Sequence, residues 1–175
     1  QTLQLLGPSQ VPQSNIIYVD GPMINRYLQD GSGPGTIVYS SAYIQQMPEG
    51  YGVQVQIVTP QNSTVVTPLT YQNAAITAGA RNVQIRIATV SPVTGEGALT
   101  GVYALLEQSG IAVSTQDVQV AQQEINLVNQ IEENAEISND GANQVIAEVK
   151  TEVAQEIGNV DIDAQGDVTL TQEQI

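Results

Sequence analysis

The sequence predicts an α+β fold in which a small sheet domain precedes a set of amphipathic helices. Residues 53–58 and 83–87 alternate apolar with polar side chains, the pattern of half-buried strands. Helix start signals separate such segments: Pro22 follows a turn, and Thr67 precedes a proline. From Gly97 onward the apolar residues recur with the helical period. The predicted order β-α-β-β-α-β is the split βαβ, or ferredoxin-like, arrangement, followed by two to three C-terminal amphipathic helices.

Each element of the first part has a local signal. A short apolar run at 15–19 ends at the turn Asp20-Gly21. A second segment, at 36–46, is rich in β-branched and aromatic residues. A loop at 47–52, with one proline and two glycines, predicts a hairpin between the second and third strands. Gly79 closes the second helix. The predicted strands are therefore 15–19, 36–46, 53–58 and 83–87, and the predicted helices are 22–29 and 67–78.

Three further helices are predicted at 98–108, 114–135 and 138–157. Ser114 begins the second of them with a sequence that resembles a capping box. Its apolar stripe consists of Val118, Ala121, Ile125, Val128 and Ile131. The inward side chains predicted for the third are Ala142, Val145, Ile146, Val149, Val153 and Ile157. Burying each large aliphatic side chain contributes about 1.5–3 kcal/mol, so these helices must pack on the sheet or on each other.

The composition excludes several classes of function. The chain has 175 residues, of which 41% are hydrophobic and 13% charged, and it contains neither cysteine nor histidine. This excludes disulfides, thiolate metal sites and a cysteine nucleophile, and it removes the usual general base. Eighteen acids against four bases give a net charge of -14, which repels nucleic acid. No apolar run reaches the roughly 18 residues of a membrane span.

The charge is unevenly distributed and predicts the domain boundaries. Residues 1–110 hold five acids and three bases, whereas residues 111–175 hold 13 acids and a single base, Lys150. We therefore predict a sheet domain at 1–110, an acidic helical extension at 111–158 that packs on it, and a flexible acidic tail at 159–175.

Four blocks of sequence resemble the YpuA-like family, exported proteins of Gram-positive bacteria that contain a domain of unknown function, number 1002. The blocks are SSAYI at 40–44, PEGYGV at 48–53, QNAAITAGA at 72–80 and SPVTGEGALTG at 91–101. The resemblance covers residues 1–157. It implies an exported precursor with a signal peptide, and the start at Gln1 rather than Met fits removal of a preceding segment. It implies no activity and no catalytic residues.

A polar sheet face is the main candidate binding site. Amide and tyrosine side chains are flat, uncharged and able to form hydrogen bonds, which suits contact with carbohydrate or peptide. The alternatives are a solvated sheet face or one covered by the C-terminal helices. The candidate ligand-binding residues are Tyr39, Tyr43, Tyr51, Gln54, Gln56, Gln84 and Arg86.

Two weaker candidates concern ions. Gly95 and Gly97 open a helix whose backbone N–H groups could hold an anion, although glycines there also permit close helix packing. Asp161, Asp163 and Asp167 resemble the first half of a calcium loop, but the bidentate acid at the twelfth position is missing. The alternative is a solvated acidic tail. Apart from this calcium, no cofactor is predicted.

These patterns favour a non-enzymatic protein, secreted or associated with the cell envelope, that binds a wall component or an extracellular protein. Two alternatives stay open. One is a carboxylate-dependent glycan hydrolase that uses Glu49 and Glu96, which requires the two carboxylates to lie about 5–9 Å apart. The other is a calcium-responsive structural module. The oligomeric state is not predicted.

Overall fold

The computed structural model of the protein describes residues 2–8, 10–158, 161–162 and 168–169. Within these residues the chain forms six α-helices and five β-strands. The helices are α1 (Thr2–Leu6), α2 (Gly21–Leu28), α3 (Pro68–Thr77), α4 (Glu96–Gln108), α5 (Thr115–Ala135) and α6 (Asn139–Gly158). The strands are β1 (Ser40–Gln46), β2 (Val53–Ile57), β3 (Val83–Thr89), β4 (Asp161–Ile162) and β5 (Val168–Thr169).

The main sheet has three strands in the order β1-β3-β2. β1 runs antiparallel to β3, and β2 runs parallel to it. Helix α3 makes the crossover between the parallel strands β2 and β3. β4 and β5 form a separate antiparallel pair. The predicted α+β class is therefore confirmed, with a mixed sheet.

The ferredoxin-like arrangement is not confirmed, because two of its parts differ. Residues 15–19 form no strand, and β1 and β2 are not a hairpin, since β3 lies between them. Asn82 shows how β3 enters this gap: its carbonyl oxygen accepts from Met47 N at 2.7 Å, and its Oδ1 accepts from Gly52 N at 3.1 Å. β3 carries the most completely buried apolar residues of the three strands, which favours the central position.

The helix starts follow the local signals in the sequence. Asp20 caps α2 by accepting from Met23 N at 2.9 Å, with Pro22 in the first turn. Thr67 caps α3 in the same way, with Pro68 at its start, and Ser114 caps α5 by accepting from Asp117 N at 3.0 Å. These interactions lie within a few residues, so the predicted and observed starts agree closely.

Helices α3 and α4 cover one face of the sheet, which we call the apolar face. It is formed by Ala42, Ile44, Val55, Ile57, Val83, Ile85 and Ile87. α2 packs on α4, and α5 packs on α3 and α2. α1 lies against the opposite face, on β3 and β1. None of the described helices is long and apolar enough to cross a membrane.

The two long C-terminal helices pack both on the sheet domain and on each other. On α5 the predicted residues Val118, Ala121, Ile125 and Val128 are buried. α6 packs on α5 and α3. Ala142 and Ile146 are buried there as predicted, and the side chains of Val153 and Ile157 lie outside the described part.

The prediction for Val145 and Val149 was wrong, because these side chains are 43% and 50% exposed. The buried side of α6 is instead centred on Asn143, which is 1% exposed. Its Nδ2 donates to Thr70 Oγ1 at 3.0 Å, and its Oδ1 accepts from Asn73 Nδ2 at 3.1 Å. This polar contact with α3 rotates the valines away from the interface.

Candidate functional site: the amide face of the sheet

The strand register places polar side chains on the face opposite α3 and α4, and six of them form two rows across the three strands. Residues paired across a sheet point to the same face. Tyr43 pairs with Arg86 and Arg86 with Gln56, which makes one row across the three strands. Gln45, Gln84 and Gln54 make the adjacent row. We call these six residues the amide face. Five of them belong to the predicted set; Gln45 was missed, although it lies two residues after Tyr43 in the same strand.

Exposure differs across the amide face. Gln45, Gln54 and Gln56 are exposed, whereas Tyr43, Gln84 and Arg86 are half-buried. The exposed amides lie at the two outer strands, where each presents a donor and an acceptor to solvent. The face therefore offers a row of uncharged hydrogen-bonding groups with one cation at its centre.

Helix α1 covers part of this face, rather than the C-terminal helices that the sequence offered as an alternative. Arg86 Nη1 donates to the carbonyl oxygen of Leu6, the last residue of α1, at 3.2 Å. Arg86 Nε is buried and has no hydrogen-bond partner among the described residues. Arg86 thus ties α1 to β3 and keeps unsatisfied donor capacity on this face.

Of the two remaining candidate tyrosines, one joins the amide face and one does not. Tyr51, in the loop between β1 and β2, donates from its hydroxyl to Gln54 Oε1 at 3.1 Å. Tyr39 precedes β1 and lies four residues from Tyr43, about 13 Å along an extended chain. It lines a separate cleft of about 300 Å³ together with Asp30 and Glu96.

Gly95 and Gly97 have packing contacts that account for both glycines. Gly95 caps α4 with a φ of 111°, and its carbonyl oxygen accepts from the Tyr71 hydroxyl at 2.7 Å. A Cβ at Gly97 would lie 2.7 Å from Cγ1 of Val38, so glycine allows α4 to approach the chain just before β1. The anion site at these residues stays a prediction.

The two carboxylates of the hydrolase hypothesis lie at opposite ends of β1. A Cβ at Gly97, next to Glu96, would lie 3.0 Å from Ser40 Oγ, at the start of the strand. Glu49 follows the other end, after Gln46. A strand of this length spans about 20 Å, which exceeds the separation that paired carboxylates need. These two residues do not form a catalytic pair.

The calcium candidates cannot be placed. Asp163 and Asp167 lie outside the described residues, as does the side chain of Asp161, whose backbone belongs to β4. Within the described part of the chain, no three acidic side chains are grouped closely enough to hold a metal ion. The calcium loop therefore stays a prediction.

The tyrosines whose pKa values are shifted lie in the helices α2, α3 and α4. Burial, together with a hydrogen bond from its hydroxyl to Glu107 Oε2 at 2.7 Å, raises the pKa of Tyr27 to about 12. Burial also raises the pKa values of Tyr71 and Tyr103 well above their usual range. These three groups stay neutral at physiological pH, and their shifts follow from core packing.

Comparison with known proteins identifies the family. The model of the family described as "Protein of unknown function (DUF1002)" matches residues 1–175. The chain belongs to the DUF1002 family. The uncharacterized protein YpuA of Bacillus subtilis strain 168 is 33% identical over 151 residues, which cover 80% of this chain and 50% of that protein. The resemblance to YpuA-like proteins is therefore confirmed.

Neither the DUF1002 family description nor the name of the relative states an activity, a substrate or a partner. The chain spans about half the length of the curated relative it matches. No solved structure matches the chain. The chemistry of this DUF1002 chain must therefore be argued from its own residues.

Proposed function

We propose that this DUF1002 protein is a non-enzymatic binding module of the Gram-positive cell envelope. It is exported, and it binds a wall component through the amide face. The relative in Bacillus subtilis supports the Gram-positive source, and export and the envelope setting are part of the proposal. An extracellular protein is the alternative partner for the same face.

One observation supports this proposal most strongly: the alignment of the amide face in two rows across three strands. Each exposed glutamine presents a planar amide that donates and accepts hydrogen bonds. Tyr43, on β1, adds an aromatic ring. Hydroxyl-rich sugars are recognised by such groups, because each hydroxyl both donates and accepts a hydrogen bond.

The charges also favour a neutral ligand. The chain carries a net charge of -14, so an anionic wall polymer is repelled at long range. The amide face itself contains one cation, Arg86, and no acid. A neutral glycan is the wall component that fits this arrangement, because its hydroxyl groups can exchange hydrogen bonds with the uncharged amides of this face.

Catalysis is not part of the proposal. Glu49 and Glu96, the carboxylates considered for a hydrolase, are separated by the length of β1. The calcium-responsive alternative rests on residues 161–167, of which the described part includes only the backbone of β4.

Co-sedimentation with isolated Gram-positive cell walls tests this function. We expect the wild-type protein in the pellet and no soluble sugar in the supernatant. The variant Gln54→Ala/Gln56→Ala should lose binding, because both amides are exposed on β2. Gln130→Ala is the matched control, since it removes an exposed glutamine from α5 instead.

Three results would contradict the proposal. Equal binding by the β2 variant and the wild type would exclude the amide face as the contact surface, provided that circular dichroism shows both proteins folded. Release of soluble sugar by the wild type would show enzymatic activity. Wild-type protein that stays in the supernatant would exclude wall binding and favour an extracellular protein partner.

A further inference from the structure

A cleft of about 410 Å³ lies along the free edge of β1. α1 borders it on one side of the sheet through Leu3 and Leu6, and α4 borders it on the other side through Gly101. The chain at residues 15–19 forms the wall opposite β1. Its volume lies within the range of pockets that bind ligands, about 300–1,000 Å³.

The backbone of β1 presents unpaired hydrogen-bonding groups to this cleft. Met47 N donates to Asn82 O, and Val90 N donates to Tyr39 O, so the odd-numbered residues bond to β3. In an antiparallel pair the alternate residues point the other way. The N–H and C=O groups of Ser40 and Ala42 therefore face the cleft, and no hydrogen bond to them is made within the described part of the chain.

The opposite wall is an extended segment that pairs with none of the described strands. The sequence predicts a strand at 15–19, and the backbone at Ile16 is extended, with φ −106° and ψ 122°. The described residues of this segment nevertheless belong to no ladder. Ile17 and Val19 are half-buried, whereas Tyr18 is 75% exposed, the highest value among the exposed large hydrophobic side chains of the described residues. Tyrosine is enriched at protein interfaces, because its ring is apolar and its hydroxyl forms hydrogen bonds.

We propose that this cleft binds an extended peptide segment of another protein, which pairs with β1 as a fourth strand of the sheet. A polypeptide is the occupant that fits, because its N–H and C=O groups repeat every two residues, as those of Ser40 and Ala42 do. The peptide lies between β1 and residues 16–19, and Tyr18 packs over it.

The chemistry of the peptide follows from the charges. Every residue that lines the cleft is uncharged, so the inserted residues are uncharged and have β-branched or small side chains. The protein as a whole carries a net charge of -14, so basic residues on both sides of the inserted segment increase the association rate. This site is separate from the exposed glutamines of β2, and it does not depend on the proposed wall binding.

A designed peptide tests the site. The probe has alternating threonine and valine in its centre and one lysine at each end. The control probe has the same sequence with N-methyl groups on two adjacent central residues, which blocks both edges of the strand. Amide hydrogen exchange of the isotope-labelled full chain is followed by NMR. We expect the first peptide to protect the amides of Ser40 and Ala42. The N-methylated peptide should bind more weakly, by a factor of about ten or more.

β2 supplies the internal control, because it is the other edge of the same sheet. Its residues Val55 and Ile57 also point their backbone groups away from β3. Ala42→Pro removes one donor at the β1 edge without removing a bond to β3, and Val55→Pro is the matched change at the β2 edge. We expect only Ala42→Pro to weaken binding of the peptide, by about tenfold.

Protection of Val55 and Ile57 instead of Ser40 and Ala42 would overturn the proposal. So would equal binding of the two peptides, or no change at Ser40 and Ala42 at millimolar peptide. If those amides are already protected without peptide, and the protection increases with protein concentration, the occupant is a second copy of the chain. If either proline variant fails to fold, the exchange data on the wild type still decide the question.

Discussion

The two faces of the three-stranded sheet are built from alternate residues of the same strands, but they differ in exposure to solvent. On one face, Ile85 and Ile87 are 0% and 1% exposed beneath α3 and α4. On the other, Gln56 is exposed, and half-buried Arg86 donates to the last residue of the short helix α1. The stability of the molecule thus comes from one face, which leaves the other free to carry a binding surface.

The largest expected effect contrasts the two faces directly. Ile85→Ala should lower the free energy of unfolding by about 2–5 kcal/mol, because it leaves a cavity at a fully buried position. Gln56→Ala should change it by no more than about 0.5 kcal/mol, because this side chain is exposed. Urea unfolding followed by circular dichroism measures both. Similar losses in the two variants would show that the amide face is also covered.

The polar contact between α6 and α3 tests whether the helical side relies on apolar packing alone. Asn143→Ala should lower the free energy of unfolding by about 1–3 kcal/mol, since Thr70 and Asn73 lose a buried hydrogen-bond partner. Gln144→Ala, at the exposed neighbouring position, is the control. Urea unfolding compares the variants, and equal stability would mean that water replaces the lost amide.

Substitution of two glycines in α4 tests how closely this helix approaches the sheet. We expect the two substitutions to change the stability in opposite directions. Gly101→Ala should raise stability by about 0.5–1 kcal/mol, because its Cβ would lie 3.6 Å from Ala42 Cβ, an ordinary contact, and alanine favours helix. Gly97→Ala should lower it by about 1 kcal/mol, because the new Cβ would lie 2.7 Å from Val38 Cγ1. Thermal unfolding of both variants checks the signs. A gain at Gly97 would show that Val38 moves freely.

The last comparison concerns the buried tyrosines of the helices. The pKa of Tyr27 is about 12 in the folded protein against an ordinary value of 10.0. Its phenol ionises first in the unfolded chain, so its contribution to stability is present below pH 10 and is lost as the pH rises towards 12. Tyr27→Phe should therefore show a shallower loss of stability over this interval.

Urea midpoints between pH 9 and pH 12 measure this difference, and phenolate absorbance in the same samples follows the ionisation. Tyr71→Phe is a useful comparison, because burial raises the pKa of that phenol too. An unchanged slope in Tyr27→Phe would show that burial and the hydrogen bond to Glu107 do not raise the pKa of Tyr27.

Much of the local structure could be predicted, because it depends on interactions between residues that are close along the chain. The starts of α2, α3 and α5 depend on caps that reach three residues along the chain, so Asp20, Thr67 and Ser114 identify them. Alternation also placed Gln54 with Gln56, and Gln84 with Arg86, on common faces. The rows that join these pairs depend on the register between strands, which no local pattern contains.

Long-range contacts explain the failures. Asn82 accepts hydrogen bonds from residues at the ends of both flanking strands, where a hairpin between these strands was predicted. In the sequence it resembles an ordinary polar turn residue. Asn143 lies between Ala142 and Gln144 and has the composition of a solvated position, and it is buried because it bonds to Thr70 and Asn73 of α3. The segment at 15–19 has the composition of a strand but lacks a paired neighbour.

The sequence by itself determined which residues form helices, which alternate in strands, which family the chain resembles and where its charge lies. These properties depend on residues that are close along the chain. Three features required the folded structure: β3 separates β1 from β2, the amide side chains form two rows, and the edge of β1 borders a cleft. Each of these depends on which distant segments pack together, because unpaired backbone groups and apolar surfaces select their partners only when the whole chain folds.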